Sequence, residues 1–247
     1  MSQRRILVLD TETTTNKNNV TSICDVAWLE LNEQAEVIDE VSSLIDPLEP
    51  ISASSSGCHG IVDADVQDAP TIEELFEIVL PAENHVVPYE NVVIIAHNVS
   101  YDRPLMEPHM GIVDELCTMR AAMKYLRDAE DFKQQTLRYQ YGLKAGTAHR
   151  AAGDIVLTYN LLKFLMDVSG LSLTELVQDL TAPVWVSTMP FGKHRGEPIE
   201  KVPAGWIRWA LTNIGDMTKD LRWTLEQVLE NKVKSVTYGG ANGLPKT

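Results

Sequence analysis

The chain has 247 residues, of which 44% are hydrophobic and 23% are charged, and its formal net charge is −14. Its longest apolar runs, such as Ile6–Leu9 and Val92–Ala96, are far shorter than the ~20 residues that cross a bilayer, so the composition excludes a membrane helix. Three cysteines, an odd number without a CxxC pair, argue against a disulfide framework or a thiolate zinc site, and they favour a cytoplasmic location.

In the first 182 residues, predicted strands come first and then alternate with predicted helices, which indicates an α/β mixed sheet. The predicted strands are Ile6–Leu9, Ile23–Leu31, Val37–Ile45 and Val92–Ala96. The predicted helices are Thr71–Leu80, a short one that begins near Asp102, and then Thr118–Arg127, Gln135–Tyr141 and Ala151–Asp167. Three tyrosines in this part, Tyr125, Tyr139 and Tyr141, are expected to pack in the core or between helices, and the alternative is that they stack on nucleic-acid bases.

A boundary is predicted at Thr181-Ala182-Pro183, which divides the chain into an exonuclease-sized domain (1–182), a small α+β domain (183–231) and a polar, flexible tail (232–247). The small domain is expected to contain a short strand at Val184–Val186 and helices at Ala204–Asn213 and Thr218–Leu229. Charge is unevenly divided: residues 1–182 hold 12 Lys and Arg against 29 Asp and Glu, whereas residues 183–247 hold 9 against 6.

Four carboxylates fall where strand ends and helix starts place functional groups: Asp10, Glu12, Asp102 and Asp154. Two carboxylates 4 Å apart repel each other by about 4 kcal/mol at an effective dielectric constant of 20, so four of them share a site only if cations neutralise them or some stay protonated. Oxygen ligands of this kind suit two Mg²⁺ ions, for which Mn²⁺ can substitute. His149 is then the expected base that deprotonates an attacking water molecule.

The same residues form three motifs that resemble those of the DEDDh 3′–5′ exonucleases. The motifs are Asp10-Thr11-Glu12-Thr13, then His97-Asn98-Val99-Ser100-Tyr101-Asp102, and then His149-Arg150-Ala151-Ala152-Gly153-Asp154. The resemblance implies a ribonuclease H-like fold, a mixed five-stranded sheet flanked by helices.

Within that family, the chain more closely resembles the exodeoxyribonuclease X group. The likeness lies in Phe191-Gly192-Lys193-His194-Arg195-Gly196 and the Trp-rich segment Trp206–Trp209, and it spans about residues 5–230. The chain departs from the group at His194, where an aromatic residue is usual. It departs again at Thr14–Asn19, where the family generally has a glycine and then an apolar wedge that contacts the terminal base.

The resemblance implies a 3′–5′ exonuclease that releases 5′-mononucleotides from DNA 3′ ends, preferentially single-stranded ones, in DNA repair, replication or degradation. It implies that Asp10, Glu12, Asp102 and Asp154 hold two Mg²⁺ ions and that His149 is the base. The residues that it places at the terminal nucleotide are Thr11, Thr13, His97, Asn98 and Tyr101. Lys193 and Arg195, framed by glycines, are candidate phosphate contacts.

Two alternatives remain open from the sequence. The same motifs suit an exoribonuclease that trims RNA 3′ ends, because nothing in them reads the 2′-hydroxyl group. A nucleic-acid-binding module with an idle catalytic site is the second alternative, and the presence of all four carboxylates with the histidine argues against it.

Overall fold

The computed structural model describes residues 4–79 and 90–239, and for residues 234–239 it describes the backbone alone. The chain divides into two compact units, Met1–Leu180 and Thr181–Thr247. The division lies two residues before the boundary that the sequence predicts.

The first unit is built on one mixed sheet of five strands in the order β3-β2-β1-β4-β5. The strands are β1 (Arg5–Thr15), β2 (Thr21–Leu31), β3 (Val37–Leu44), β4 (Val92–Ala96) and β5 (Ile112–Cys117). β1 and β3 run antiparallel to β2, whereas β1, β4 and β5 are mutually parallel. The predicted α/β fold with a mixed five-stranded sheet is therefore confirmed.

β1 continues past Leu9, the last residue of the predicted strand, and stops only at Thr15. The antiparallel hairpin with β2 maintains the pairing of these extra residues, with a bulge between Glu12 and Thr13. On its other side, the last residue of β1 that pairs with β4 is Val8. Asp10 and Glu12 consequently lie beyond the carboxyl end of β4, on a strand that is still held by β2.

Eight helices are described in the first unit. They are α1 (Ala53–His59), α2 (Asp63–Val66), α3 (Ile72–Val79), α4 (Val99–Met106), α5 (Thr118–Tyr125), α6 (Gln134–Tyr141), α7 (Ala151–Ser169) and α8 (Leu173–Asp179). Thr71, directly before α3, forms a capping box with Glu74, because its hydroxyl accepts from the Glu74 N–H and the Glu74 carboxylate accepts from the Thr71 N–H. Leu80, the predicted last residue of α3, lies outside the described residues.

α7 packs against β1 and β2, and its buried face includes Ile155, Leu161 and Leu165. One large apolar cluster lies around Trp28 and Phe76, whose rings stack at 5.8 Å. In the described part of the chain, no single helix has the length and apolar composition of a membrane span, although α7 and α8 together, bent by 84°, meet that test.

The second unit is helical, with α9 (Ala204–Asn213), α10 (Lys219–Gly239) and two short 3₁₀ turns. The predicted strand Val184–Val186 is wrong. The Val184 N–H donates to Asp220 Oδ1 (2.9 Å) and the Val186 N–H donates to Thr224 Oγ1 (3.1 Å), so both amides are satisfied by side chains of α10. α10 also runs to Gly239, beyond the predicted start of the tail at residue 232, and residues 240–247 lie outside the described part.

A separate apolar core supports this unit. It consists of Met189, Ile199, Val202, Ile207, Leu221, Leu225 and Val228. Its strand pairing, within the described residues, is a single bridge between Thr188 and Pro198, so the expected α+β character is limited to that bridge.

Candidate active site

Asp10 and Glu12 stand on β1 in a place where carboxylates are hard to ionise. Burial raises the pKa of Asp10 well above its ordinary value, and the negative charges of Asp102, Asp154 and Glu12 raise it further. Burial and the charges of Asp154, Asp25 and Asp102 together raise the pKa of Glu12 to about 7. Thr11 of the first motif donates to Asp102 of the second at 2.8 Å. Glu12 of the first motif lies within 4.8 Å of the third motif, so the three predicted motifs converge on one site.

Asp102 reaches this site from the first turn of α4. Asn98 precedes the helix in the left-handed conformation (φ 71°, ψ 52°), which turns the chain from the end of β4 into α4. Asp102 is only 4% exposed, and its Oδ1 accepts from the Thr11 hydroxyl at 2.8 Å. Burial raises the pKa of Asp102 to about 6, while the hydrogen bond from Thr11 lowers it.

Asp154 and His149 are joined by the backbone. The His149 N–H donates to Asp154 Oδ2 at 2.9 Å, and His149 itself adopts a left-handed conformation (φ 56°). Gly153 allows this tight loop, because a Cβ atom there would lie 1.9 Å from the carbonyl oxygen of Thr147. Burial raises the pKa of Asp154, and the hydrogen bond from the His149 backbone opposes that rise.

Glu12, His149 and Asp154 bring one ligand atom each to within 4.8 Å of one another. Asp10 and Asp102 add two more carboxylates, which are coupled to the same cluster by charge. Four carboxylates grouped in this way offer the oxygen ligands that a hard divalent cation prefers. The residues present therefore fit a divalent-metal site.

The residues predicted at the terminal nucleotide fall into two groups. Thr13, Asn98 and Tyr101 are partly or fully exposed beside the cluster, and Thr13 Oγ1 lies 2.5 Å from Tyr101 Oη. Thr11 and His97 are engaged within the protein. His97 Nε2 lies 2.9 Å from the Phe132 carbonyl oxygen and its Nδ1 lies 3.0 Å from Thr118 Oγ1, and burial lowers the pKa of His97 to about 4.

Lys193 and Arg195 are both exposed in the second unit, on a turn that begins with the 3₁₀ helix Gly192–His194. His194, which occupies the position where an aromatic residue is usual, packs edge-on against Trp206 with ring centroids 5.1 Å apart. Its Nδ1 lies 3.0 Å from Glu197 Oε2. The contacts of His194 therefore hold the turn in place, while Lys193 and Arg195 on either side of it face solvent.

Asp25 is a site residue that the sequence analysis missed. Its carboxylate on β2 is almost fully buried, and Oδ2 accepts from Arg150 Nε at 3.0 Å and from the Ala151 N–H at 3.3 Å. Asp25 thereby ties the first residues of the third motif to the sheet. The sequence does contain a signal for this role, because Asp25 is a charged residue within the apolar segment Ile23-Cys24-Asp25-Val26, and buried charges are rare unless they are paired.

Cys58 also belongs to the surroundings of the site. It is exposed near the end of α1, and its Sγ lies 3.9 Å from His149 Nδ1. α1 thus borders the side of the histidine ring that carries Nδ1.

With this geometry in place, comparison with known proteins identifies the family. A family model described as "Exonuclease", the ribonuclease T type, matches residues 7–162. The chain belongs to this exonuclease family. The matched range includes all five residues of the carboxylate and histidine cluster.

Two kinds of curated relative are similar to the chain. Exodeoxyribonuclease 10 of Escherichia coli is 31% identical over 235 residues, which cover 91% of this chain and 98% of the relative. A PolC-type DNA polymerase III from Caldanaerobacter subterraneus is 26% identical over 180 residues, which cover 69% of this chain but 12% of the polymerase. The similarity to the exodeoxyribonuclease therefore extends through the second unit.

Solved structures of other exonucleases superpose on this chain. Exonuclease X in complex with 5′ overhanging duplex DNA superposes with a TM-score of 0.56 and 27% sequence identity, covering 72% of this chain and 99% of that chain. Exonuclease I superposes with a TM-score of 0.55 and 14% identity, covering 72% of this chain and 43% of that chain, which supports the fold alone.

The raised pKa of Glu12 predicts that the metal-free protein loses stability as pH rises. Between its ordinary value of 4.5 and about 7, Glu12 holds its proton in the folded protein but releases it in the unfolded chain, so increasing pH favours unfolding across that window. In chelator, Glu12→Gln should flatten the fall in melting temperature between pH 4.5 and 7. Glu33→Gln, at an exposed turn position, is the control and should keep the parent slope. Equal slopes in all three proteins would contradict this assignment.

Asp25→Asn should lower the cleavage rate at saturating substrate by about 10- to 100-fold, because a small displacement of His149 and Asp154 has effects of that order. The matched control is Glu30→Gln, since Glu30 also lies on β2 and also binds an arginine, Arg5. The control should lose melting temperature without losing rate. The positioning role of Asp25 is wrong if its variant shows only the stability loss of the control.

Proposed function

We propose that the chain is a divalent-metal-dependent 3′–5′ exodeoxyribonuclease that removes 5′-mononucleotides from DNA 3′ ends and prefers single-stranded ends. The observation that carries the proposal is the convergence of Asp10, Glu12, Asp102 and Asp154 with His149 at the end of β4. Two buried and two half-buried carboxylates close together suit phosphodiester hydrolysis, in which bound cations neutralise the carboxylates and attract the anionic substrate.

The four carboxylates would hold the metal, with Mg²⁺ as the proposed ion at two positions and Mn²⁺ as its substitute. When bound, the ions supply charge neutralisation for the scissile phosphate and activation of the water nucleophile. Thr11 orients Asp102 through its hydroxyl, and the His149 backbone orients Asp154. The protein therefore fixes at least two of the four ligands through hydrogen bonds to their carboxylate oxygens.

His149 is the proposed base. Its ring is exposed to the solvent that delivers the nucleophile, and its backbone N–H binds a carboxylate of the cluster. Proton removal from water by one ring nitrogen would leave the imidazolium beside Glu12 and Asp154, whose negative charges stabilise it. The strained backbone at His149 is the kind of feature that functional sites retain.

The terminal nucleotide is proposed to contact Thr13, Asn98 and Tyr101, the exposed members of the first two motifs. Thr11 and His97 would act on the nucleotide indirectly. Thr11 would hold Asp102, and His97 would hold the segment that follows β4. The polar turn after β1, where Asn16 bonds to Glu49, offers no apolar wedge against a terminal base pair. This arrangement supports the preference for single-stranded ends.

DNA is the proposed substrate because the E. coli relative, similar over nearly its whole length, is named an exodeoxyribonuclease and the solved Exonuclease X is bound to duplex DNA. A cytoplasmic location and a role in DNA repair, replication or degradation belong to the same proposal, because chromosomal 3′ ends lie inside the cell. RNA 3′ ends are the second candidate, since the described site contains no contact that would exclude a 2′-hydroxyl group.

The function is tested by incubating 5′-labelled single-stranded and duplex DNA, and single-stranded RNA of the same sequence, with the protein and Mg²⁺. Stepwise shortening from the 3′ end, fastest on single-stranded DNA and abolished by chelator, is expected. Asp154→Asn is the inactive control. Faster shortening of RNA than of DNA would mean that the chain is an exoribonuclease. An absence of metal-dependent cleavage would support a module that binds nucleic acid without cleaving it.

His149→Ala should slow cleavage by roughly 10²- to 10⁴-fold, the usual contribution of a general base. Mn²⁺ binding, measured by calorimetry, should persist because the histidine is not a proposed ligand, whereas Asp154→Asn should weaken binding as well. If Mn²⁺ binding disappears with the histidine, His149 is a metal ligand and its role as base is wrong.

Lys193→Ala combined with Arg195→Ala should raise KM and leave the rate at saturating DNA unchanged, because phosphate contacts position the substrate without doing chemistry. The salt dependence should flatten by a log–log slope of about one per lost contact. The control removes two exposed lysines of the same unit, Lys201 and Lys219. A double variant that loses melting temperature or changes its sedimentation while keeping the parent KM and salt slope would show that the turn is a structural brace.

A further inference from the structure

Polar side chains of α6 contact Asp154, at the edge of the acidic cluster. Gln135 Nε2 lies 3.5 Å from Asp154 Oδ1, and the neighbouring Gln134 Nε2 donates to the Asp154 carbonyl oxygen (3.1 Å) and to Thr158 Oγ1 (2.7 Å). Leu137 is fully buried on the packed side of the same helix. α6 is therefore fixed against α7 at the residue that carries a proposed metal ligand.

Arg138 and Tyr139 lie on the Gln135 face of α6, three and four positions further along the chain, where helical residues are neighbours. Arg138 Nη1 donates to Gln135 Oε1 at 3.2 Å, and its guanidinium carbon lies 5.3 Å from the centre of the Tyr139 ring. Within residues 4–79 and 90–239, Arg138 has no carboxylate within ion-pair distance. Asp154, Gln135, Arg138 and Tyr139 thus form a continuous path from the cluster to the surface.

Tyr139 differs from the other two tyrosines that the sequence suggested as packing residues. The Tyr141 ring packs against Phe164 at 5.0 Å and its hydroxyl donates to Asp128, while the Tyr125 hydroxyl donates to Asp179. Tyr139 is 78% exposed, so the expectation of packing is wrong for this residue. An exposed tyrosine ring next to an arginine is the combination of side chains that binds single-stranded nucleic acid, because the ring stacks on a base and the cation attracts the phosphates.

We propose that Arg138 and Tyr139 form a subsite for the nucleotides directly upstream of the scissile bond, in which Arg138 contacts a phosphate and Tyr139 stacks on a base. Four helical residues, a rise of about 6 Å, separate Gln135 from Tyr139, which is close to two stacked nucleotide steps of about 3.4 Å each. The terminal nucleotide is assigned to residues of β1 and α4, so α6 is left to bind the strand that remains attached. This inference rests on the proposed nuclease function.

The test compares a minimal substrate with an oligonucleotide. In the p-nitrophenyl ester of thymidine 5′-monophosphate, nitrophenol replaces everything upstream of the scissile phosphate, so an upstream subsite has nothing to bind. Tyr139→Ala and Arg138→Gln should each lower kcat/KM for a single-stranded DNA 12-mer by roughly 5- to 100-fold, the range for loss of one stacked base. Hydrolysis of the minimal ester should stay at the parent rate in Tyr139→Ala. In Arg138→Gln, which removes a charge that lowers the pKa of Asp154, the loss on the ester should be much smaller than the loss on the oligonucleotide.

Controls separate stacking and charge from damage to the helix. Tyr139→Phe should keep most of the oligonucleotide activity, because the ring still stacks. Tyr141→Ala, on the packed side of α6, should lower the melting temperature without a difference between the two substrates. Arg4→Gln, which removes a charge at the amino end of β1, the end away from Asp10 and Glu12, should not change the salt slope, whereas Arg138→Gln should reduce it by about one.

Binding of the labelled 12-mer in chelator, followed by fluorescence anisotropy, provides a readout that needs no cleavage. Weaker binding by Tyr139→Ala and Arg138→Gln supports the subsite. Equal loss on both substrates would mean that the variants disturb Asp154, and no loss on the oligonucleotide would mean that α6 does not touch DNA; either result overturns the proposal. If the parent protein cleaves neither substrate, the proposed function fails while the anisotropy still decides the subsite.

Discussion

Repulsion between carboxylates at the end of β4 is the constraint on which the rest of the structure depends. Asp10, Glu12, Asp102 and Asp154 each have a raised pKa, caused first by burial, and the negative charges of neighbouring carboxylates raise the pKa of Asp10 and Glu12 further. A fold that only maximised stability would separate these groups or replace them. In this chain, hydrogen bonds and packing hold the carboxylates together despite their repulsion. A bound cation would relieve that repulsion and attract a phosphodiester.

Three local devices overcome the repulsion. The hairpin of β1 with β2 carries Asp10 and Glu12 past the end of β4, where space for ligands opens. Asp25 holds the start of α7 through Arg150, a fifth carboxylate that is neutralised by its own partner. Gly153 then lets the preceding loop approach the helix so closely that the His149 amide reaches Asp154. Remote parts of the sequence are thereby fixed by contacts that do not depend on the cation.

Four of the five strands, and the carboxylates that the structure brings together, could be predicted from the sequence because both have short-range signs. Buried strands are continuous apolar runs, and the carboxylates occur at fixed spacings within motifs. β5 was missed because Ile112–Cys117 is a partly exposed edge strand with two acids, which breaks the apolar pattern. Val184–Val186 was misassigned because its backbone donors bind Asp220 and Thr224, partners some 36–38 residues away that no local pattern reveals.

Roles that depend on partners far apart in sequence were equally out of reach. His97 has the position of a substrate contact in its motif, yet both ring nitrogens lie within hydrogen-bond distance of atoms of the protein. Tyr139 and Tyr141 stand two residues apart on one helix and look alike in sequence. Only the packing of α6 on α7 decides that Tyr141 meets Phe164 while Tyr139 stays in solvent.

The charge distribution explains why local contacts matter for this enzyme. With 29 acidic against 12 basic side chains in residues 1–182, the long-range field of that part of the chain repels a polyanion. Affinity for DNA must then come from contacts at short range, where a single arginine beside a phosphate outweighs distant acids that salt screens within about 10 Å. The contacts proposed for this role are Arg138, next to the cluster, and the exposed Lys193 and Arg195, in the unit with excess positive charge. Raising salt should therefore screen both the repulsion and the attraction, so the measured salt slope reports the difference between them rather than the number of cations alone.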